Sequence, residues 1–429
     1  MRKTHLFIIA LFLAPVWGCT NTGSPSTGQA GYAQETALSP VVTVTQTPRP
    51  TQEPTTTPTV TLTPTSTTQP SPTVSPTVTI GSSGPNQYPT GVNPLTGLAV
   101  SDPQSLDLPP ALVSISNSPI TARPQAGLSF SPLVFEIYIG EGATRFLALF
   151  YGDYPPSSIE GEPAAVGPLR SGRLPYESLR RLYGGFLVFA SAAERVLDKL
   201  NDYIIVYNQD LSDVNGARIA VDELLQNAQQ RQPTKGWPML QGNRFDPLPP
   251  PGGKPAQGLW VGYHRVDQVF WRYSEQLKAY ARWQDDGEDT SLRQFTDWLN
   301  NDNLSFENVV VLFANYRLFS ETYFDIDLFY ITRNPALLFR DGQMYPIYWT
   351  TLGGFQESTT GRMRPIRFID YEGNAVPLKP GQTWVEIVQL YNPYYETADS
   401  RDFHKLSSLE KPGSGFWAVR FIPPAVIGE

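Results

Sequence analysis

The sequence predicts an α+β fold in which two β-rich mixed domains follow a disordered tether rich in proline and threonine. Strand-like runs of β-branched and aromatic residues recur from residue 111 onward, and short helical patterns lie among them without regular alternation. The chain has 429 residues, a length that suits about two domains. Thirteen of its 41 prolines lie before residue 93, and seven of these are in Thr-Pro or Ser-Pro steps.

The N-terminus has the features of an export signal. A short basic region and an apolar segment, residues 6–16, precede Cys19, which follows the small residue Gly18. This order is typical of a signal peptide over residues 1–18, and the apolar segment is too short for an ordinary spanning helix. A Cys in this place resembles the bacterial lipobox, so we expect Cys19 to be lipidated and to anchor the protein to the extracytoplasmic face of a bacterial membrane. Because Trp17 is bulkier than that pattern usually carries, an ordinary signal peptide with a chance Cys is the alternative.

Residues 19–92 are expected to form the lipid-anchored, disordered tether. A segment dense in Pro, Thr and Ser buries too little apolar surface to fold, and its prolines favour extended polyproline II. We interpret it as a passive spacer, and binding of a partner to this segment is the alternative. Cys19 is the one cysteine of the chain, so the exported part has no intrachain disulfide and depends on its core.

An N-terminal α+β domain is predicted over residues 93–255. Alternating or apolar runs and a hairpin turn at Glu141-Gly142 indicate strands, and Ser191 and Glu194 form a capping box. The predicted strands are residues 111–116, 133–139, 143–151, 187–189 and 203–207, and the predicted helices are residues 191–200 and 221–230.

A C-terminal, mostly β domain is predicted over residues 256–429, after a segment rich in Pro, Gly and Asn. A helix is expected from Ser291, because Leu292, Phe295, Trp298 and Leu299 would share one helix face. The predicted strands are residues 268–273, 278–283, 308–313, 345–349, 365–369 and 383–388. The aromatic residues in and just before the first two strands suit a sheet core, and a sugar-stacking platform is the alternative. These residues are Trp260, Tyr263, Phe270, Trp271, Tyr273, Tyr280 and Trp283.

The hairpin of residues 133–151 carries the strongest indication of a site, because Glu136 is a lone charge in an apolar strand. With a two-residue loop, Tyr138 faces Arg145 and Glu136 lies diagonally from Arg145, at roughly 7–8 Å between Cα atoms. A buried carboxylate needs a cation or several donors. We therefore expect Glu136 to be ionised and paired with an arginine, foremost Arg145, with Arg170 or Arg173 as the alternatives.

Further arginines lie in the segment Gly167–Arg173, where they could converge on a carboxylate or phosphate. The alternative is that these arginines satisfy loop carbonyls and Glu136. Ser171 does not lie in a nucleophile elbow, and no nearby His could act as its base. Serine hydrolase chemistry is therefore not expected. The candidate ligand-binding residues are Arg123, Glu136, Glu141, Arg145, Arg170, Ser171 and Arg173.

Other classes of site are disfavoured. The formal net charge is −8, and nucleic-acid binding needs a basic patch. After the predicted signal peptide the sequence contains only His264 and His404. They are far apart and lack the spacing of metal ligands, so no metal is predicted. The sequence lacks a phosphate-cradling glycine loop, and no cofactor is predicted.

Six motifs of the chain occur in a recognisable combination. They are Asn93–Gly97, Ala122–Leu128, Glu141–Phe146 with Glu136, Gly167–Arg173, Glu307–Val311 and Pro380–Val385. Together they resemble the YerB-like family of bacterial lipoproteins. The resemblance covers roughly residues 93–390 and implies an exported lipoprotein with two domains of unknown function; it supplies no reaction. The sequence departs from the family pattern mainly after Asn315, and residues 391–429 resemble an added tail.

Two classes of function remain. The first is a membrane-anchored binding or scaffold protein of the cell envelope, which recognises a cell-wall glycan, an exported protein or a small anion. The second is a hydrolase or transferase acting on envelope glycan, with Glu136 or Glu141 and the arginines in the site. The absence of a nucleophile–base pair favours the first class.

Overall fold

A large mixed β-sheet dominates the computed structural model, which describes residues 81–208, 210, 213–231, 239–287, 291–398 and 410–427. The predicted signal peptide, Cys19 and the predicted tether as far as residue 80 lie outside the described residues. Strands far outnumber helices among the described elements, so the structure is mixed α+β with a mostly β character.

The helices are short. They are α1 (Pro175–Tyr183), α2 (Glu194–Leu197), α3 (Val221–Gln230) and α4 (Phe355–Thr360), with 3₁₀ turns at Pro103–Asp107, Ile120–Ala122 and Leu128–Phe130. The strands before residue 256 are β1 (Ala111–Ser116), β2 (Leu133–Gly140), β3 (Ala143–Phe150), β4 (Ser158–Ile159), β5 (Glu162–Pro163), β6 (Ala165–Val166), β7 (Phe186–Phe189), β8 (Tyr203–Ile205), β9 (Ile219–Ala220), β10 (Arg244–Phe245) and β11 (Lys254–Pro255). The later strands are β12 (Gly258–His264), β13 (Asp267–Ser274), β14 (Ala279–Asp285), β15 (Leu292–Gln294), β16 (Ser305–Phe306), β17 (Asn308–Ser320), β18 (Tyr323–Asp327), β19 (Asn334–Arg340), β20 (Gln343–Thr350), β21 (Arg367–Ile369), β22 (Pro377–Leu378), β23 (Thr383–Gln389), β24 (Tyr394–Thr397) and β25 (Phe416–Arg420).

Twelve of the described strands form one sheet that includes both halves of the chain. Its main order is β11-β20-β19-β17-β23-β2-β3-β1-β7-β8, with β18 beside β17 and β21 beside β20. At its centre β2 lies parallel to β23 and antiparallel to β3. The central strands are buried along nearly their whole length, which explains their continuous apolar runs. Strands on both sides of the predicted border after residue 255 are thus hydrogen-bonded neighbours.

A second, seven-stranded sheet packs its aromatic residues against the first. Its order is β15-β14-β13-β12-β25-β24, with β16 beside β14. Trp271 of this sheet meets Trp384 of the large sheet edge to face, at 5.4 Å between ring centroids. Trp260, Trp271 and Tyr280 are fully buried or nearly so, and they therefore belong to the core and form no exposed sugar platform.

Most of the predicted strands are confirmed, but the predicted helix from Ser291 is wrong. Residues 292–294 form β15 instead, which pairs with β14, and a turn follows. Because this segment gains backbone hydrogen bonds and apolar contacts at the sheet edge, its tertiary setting overrides the helical spacing of its apolar residues.

Two further boundaries differ from the sequence predictions. The predicted capping box at Ser191 does not form, since α2 begins at Glu194 and its N-cap residue Ala193 makes no side-chain cap. Ordered structure also begins before residue 93, because Ser83 and Phe245 exchange backbone hydrogen bonds of 2.9 and 2.8 Å. Pairing between segments so distant in sequence leaves no signal in the local sequence of either segment.

Candidate functional site

The structure distributes the predicted site residues over four places. Glu136 lies in the core, Glu141 lies exposed in the hairpin turn, and Arg123 borders a separate cavity. The remaining residues lie together around one loop: Arg145, Arg170, Ser171 and Arg173.

The predicted pairing of Glu136 with Arg145 is wrong, because the hairpin has a different register. A bulge between Tyr138 and Gly140 places Arg145 opposite Ile137. Since side chains alternate across a strand, a shift of one residue moves Arg145 to the other face of the sheet. Thr144 takes the predicted place of Arg145, and its hydroxyl donates to Glu136 Oε1 at 2.8 Å.

Glu136 is instead paired with Arg282, a residue of β14 in the second sheet. Arg282 Nη2 lies 2.6 Å from Glu136 Oε2, and both side chains are completely buried. The expectation that a buried carboxylate is paired with an arginine therefore holds, but the partner comes from the other half of the chain. This pair lies between the two sheets and has no contact with solvent.

Two more buried carboxyl groups adjoin the pair. Glu386 lies beside Glu136 on the neighbouring strand and accepts from Trp271 Nε1 at 2.8 Å and from the Tyr263 hydroxyl at 2.9 Å. Burial, together with the charge of Glu136, raises the pKa of Glu386 well above its ordinary value. Burial and the charges of Glu136 and Asp285 raise the pKa of Asp267 to about 8.

Sequence reasoning missed Arg282, Glu386 and Asp267. Glu386 carried the same signal as Glu136, a lone charge within an apolar strand, and could have been found in that way. Arg282 lies in an aromatic-rich strand 146 positions from Glu136, and local sequence gives no indication that the two meet.

Arg123 borders a cavity of about 450 Å³. Its Nη1 donates to the Asp285 carbonyl oxygen at 2.6 Å and its Nε to the Asn117 carbonyl oxygen at 3.2 Å. Burial lowers the pKa of Arg123, while the charges of Asp267 and Asp285 oppose that effect. Its guanidinium therefore joins the two halves rather than projecting into open space.

The loop of residues 167–173 positions the remaining arginines. Its backbone is held at both sides, since Arg170 N donates to Ser114 O at 2.9 Å and Ala190 N donates to Arg170 O at 3.0 Å. Gly172 N donates to Ser191 O at 2.7 Å, and the hydroxyls of Ser171 and Ser191 lie 2.8 Å apart. A loop fixed by this many bonds presents its side chains in defined positions.

Three guanidinium groups converge on this loop, and we call them the arginine cluster (Arg145, Arg170 and Arg173). Arg145 Nη1 donates to the Ser171 carbonyl oxygen at 2.8 Å. Arg173 Nη1 donates to the Gly172 carbonyl oxygen at 3.1 Å and lies 3.5 Å from that of Ser171. Arg170 Nε donates to the Ser116 hydroxyl at 3.1 Å. Within the described part of the chain, no carboxylate forms an ion pair with any of the three.

The cluster is electrostatically unbalanced. Burial lowers the pKa of Arg145 to about 9, and the charges of Arg173 and Arg170 add to this effect. Burial also lowers the pKa of Arg173, which the charge of Glu141 partly offsets. The Nε atoms of Arg145 and Arg173 are buried and have no hydrogen-bond partner. An anion at this place would supply both the missing negative charge and the missing acceptors.

Other site chemistry has less support in the described residues. They contain no group of three or more His, Cys, Asp or Glu side chains arranged to hold a metal ion. Glu136 and Glu141 do not face a common cleft, because one is buried in an ion pair and the other is exposed in a turn.

Comparison with known sequences places the chain in a family. The pattern of the N-terminal domain of DUF3048, a protein of unknown function, matches residues 95–236, and the pattern of its C-terminal domain matches residues 259–385. The chain belongs to the DUF3048 family. The two DUF3048 ranges leave a gap that contains the predicted border after residue 255.

Similar proteins agree with this membership. YerB of Bacillus subtilis (strain 168), whose name describes it as a candidate lipoprotein, is 26% identical over 314 residues, which are 68% of this chain and 85% of YerB. A crystal structure of YerB from Bacillus subtilis has a TM-score of 0.53 and 23% identity, and the match covers 69% of this chain and 96% of that chain. The resemblance to the YerB-like family is thereby confirmed. In the described part of the DUF3048 chain, no helix has the length and hydropathy that a membrane span requires.

Proposed function

We propose that this DUF3048 protein is a membrane-anchored binding protein of the cell envelope whose arginine cluster holds an anionic group of an envelope glycan. A phosphate or carboxylate fits the cluster because planar guanidinium groups bind such oxygens through paired hydrogen bonds. The single observation that carries the proposal is the convergence of three arginines without a carboxylate partner among the described residues.

The energetics of the cluster support binding. Burial lowers the pKa of Arg145, and repulsion from the like charges of Arg173 and Arg170 at the same loop adds to this effect. Arg170 and Arg173 remain partly exposed, so a ligand can reach them from solvent. A bound anion would relieve the repulsion and satisfy the buried Nε donors of Arg145 and Arg173.

Hydrolysis of glycan by Glu136 and Glu141 is the weaker candidate. Paired-carboxylate hydrolysis needs both groups beside one scissile bond. Glu136 has no solvent exposure and its charge is neutralised by Arg282. No observation on the described residues favours turnover, whereas the arginine cluster supports binding.

The test is calorimetric titration of the full-length protein with inorganic phosphate. Arg170→Gln and Arg173→Gln should each weaken phosphate binding by about tenfold or more, because each removes a charged hydrogen bond. Arg272→Gln, which removes an exposed arginine on β13, is the control for net charge and should bind as the wild type does. Equal binding by all four proteins, or no binding by the wild type at millimolar phosphate, would refute the proposal.

The anchor is a separate part of the proposal. Cys19 follows Gly18 behind a basic and then an apolar segment, and YerB, a relative, is named as a candidate lipoprotein. The Cys19→Ser protein should leave the membrane fraction, and mass spectrometry should find lipid on Cys19 of the wild type. Full membrane partitioning of Cys19→Ser, with no lipid on the wild type, would exclude a lipid anchor.

A further inference from the structure

An open cleft lies apart from the arginine cluster, and we call it the Trp298 cleft. The turn of the β4–β5 hairpin forms one side and the loop of residues 297–301 forms the other. Its volume is about 650 Å³, which is within the range of ligand sites, roughly 300–1,000 Å³. No predicted site residue borders the cleft.

Trp298 is the exposed aromatic wall of this cleft. Its side chain is 61% exposed, whereas Trp260, Trp271, Trp349 and Trp384 of the same chain are at most 1% exposed. An indole left in water forgoes the stabilisation that burial would give it. Its Nε1 donor makes no hydrogen bond within the described residues. An exposed indole inside a concave site therefore suits a ligand with an apolar face and hydroxyl groups.

The loop holds Trp298 in a fixed position. Asp297 is fully buried, and its carboxylate accepts from Gly127 N at 2.9 Å, Ser129 N at 2.8 Å and Leu299 N at 2.9 Å. Trp298 N donates to the Gln125 carbonyl oxygen at 2.7 Å. These bonds fix the backbone on both sides of the indole, so a ligand binds without ordering a loose loop.

The rest of the cleft combines apolar with polar residues and is nearly balanced in charge. Glu160 and Glu162 on the hairpin oppose Arg218, and two carboxylates with one guanidinium give a formal charge of −1. Asn300 and Asn301 add amide groups, which can both donate to and accept from hydroxyls. This lining disfavours an anionic ligand and suits an uncharged, hydroxyl-rich one.

We infer that the Trp298 cleft binds an uncharged oligosaccharide, with the apolar face of one sugar ring stacked on the indole and its hydroxyls bonded to the amide and carboxylate groups. A pyranose ring combines one apolar face with equatorial hydroxyls, which matches an aromatic wall flanked by planar polar side chains. This site is independent of the arginine cluster, since the two share no residue.

The inference is tested by calorimetric titration of the full-length protein with three neutral trisaccharides: triacetylchitotriose, cellotriose and maltotriose. We expect at least one to bind the wild type. Trp298→Ala should bind that sugar about tenfold or more weakly, and Trp298→Phe should recover part of the affinity. Phe355→Ala removes an aromatic side chain that is 88% exposed outside the cleft, and this control should bind as the wild type does.

The outcomes separate the two proposed sites. No binding of any of the three sugars at millimolar concentration, or equal binding by wild type and Trp298→Ala, would overturn the inference. Trp298→Ala should bind inorganic phosphate as the wild type does, and Arg170→Gln should bind the sugar as the wild type does. If the test of one proposed site fails, the proposal for the other site therefore still stands.

Discussion

Arg282 is surrounded by aromatic rings as well as by charge. Its guanidinium carbon lies 4.5 Å from the ring centroid of Phe295 and 4.6 Å from that of Trp384. Ring faces attract a cation most strongly where water is excluded. The rings and Glu136 together compensate for the desolvation of this buried charge.

The Glu136–Arg282 pair gives a prediction for stability. Arg282→Met should lower the free energy of unfolding by about 3–5 kcal/mol, because it leaves a buried carboxylate without its cation. Glu136→Gln in the same chain should recover part of that loss, which urea unfolding of the two single variants and the double variant measures.

Arg145 provides the matched control for this double-mutant cycle. It lies on the opposite face of the hairpin from Glu136, so Arg145→Met and Glu136→Gln should act additively. Significant coupling of Glu136 to Arg145 would contradict the observed hairpin register, and no coupling of Glu136 to Arg282 would contradict the buried ion pair.

Asp267 gives a prediction for pH dependence. Burial raises its pKa from 3.8 to about 8, so the folded protein binds a proton that the unfolded chain has released. The stabilisation that the neutral Asp267 side chain gives to the folded state is therefore complete below about pH 4. It is lost as pH rises towards about 8. Asp267→Asn keeps the neutral form at every pH, and its melting temperature relative to wild type should rise across this window.

Thermal unfolding between pH 4 and pH 9 measures this difference. Asp302→Asn, which changes an exposed carboxylate, serves as the control and should show little change relative to wild type. A constant difference between Asp267→Asn and wild type would mean that Asp267 is ionised throughout.

At the scale of elements, the turn between β2 and β3 decides which side chains share a face. Gly140, Glu141 and Gly142 have φ values of 97°, 52° and 74°. This left-handed region favours glycine. The resulting bulge shifts the register by one residue and so separates Glu136 from Arg145.

Gly140→Ala tests the importance of this turn. An added Cβ would overlap the carbonyl oxygen of Glu321, at a φ that is already unfavourable for alanine. Gly161 has a similar φ of 89° but no atom within 4 Å of an added Cβ. Gly161→Ala should therefore cost about 1 kcal/mol, and Gly140→Ala about 1–3 kcal/mol more. Urea unfolding measures both, and equal losses would show that the close approach to Glu321 has no energetic effect.

At the scale of the whole described chain, the halves share one sheet. Leu133 to Ile137 of β2 pair with Thr383 to Ile387 of β23, and β23 pairs in turn with β17. Separating the halves would leave β2 as an open edge and Glu136 without Arg282.

Fragments 81–255 and 256–429 should therefore not fold independently. Expressed separately, each should lack a cooperative thermal transition, and co-expression should restore one. Circular dichroism and size-exclusion chromatography measure this, with the intact chain as the control. Two fragments that each melt cooperatively would show that the halves fold as independent domains.

The sequence by itself determined the local elements. Alternation and apolar runs were sufficient for β1, the β2–β3 hairpin and β17, and the amphipathic pattern was sufficient for α3 over Val221–Gln230. These signals are local because side-chain periodicity reports the face that an element buries. The arginines of the loop 167–173 and the need of Glu136 for a cation were also readable, since composition and the cost of burying a charge require no partner to be known.

Only the tertiary structure decided which groups meet. The partner of Glu136 depended on a one-residue bulge and on packing against a strand 146 positions away. The segment after Ser291 became a strand because β14 supplied its hydrogen bonds, and this placed Trp298 in a cleft rather than on a helix face. Pairings of this kind are set by the burial and hydrogen bonding of distant segments, which leave no periodic trace in either segment alone.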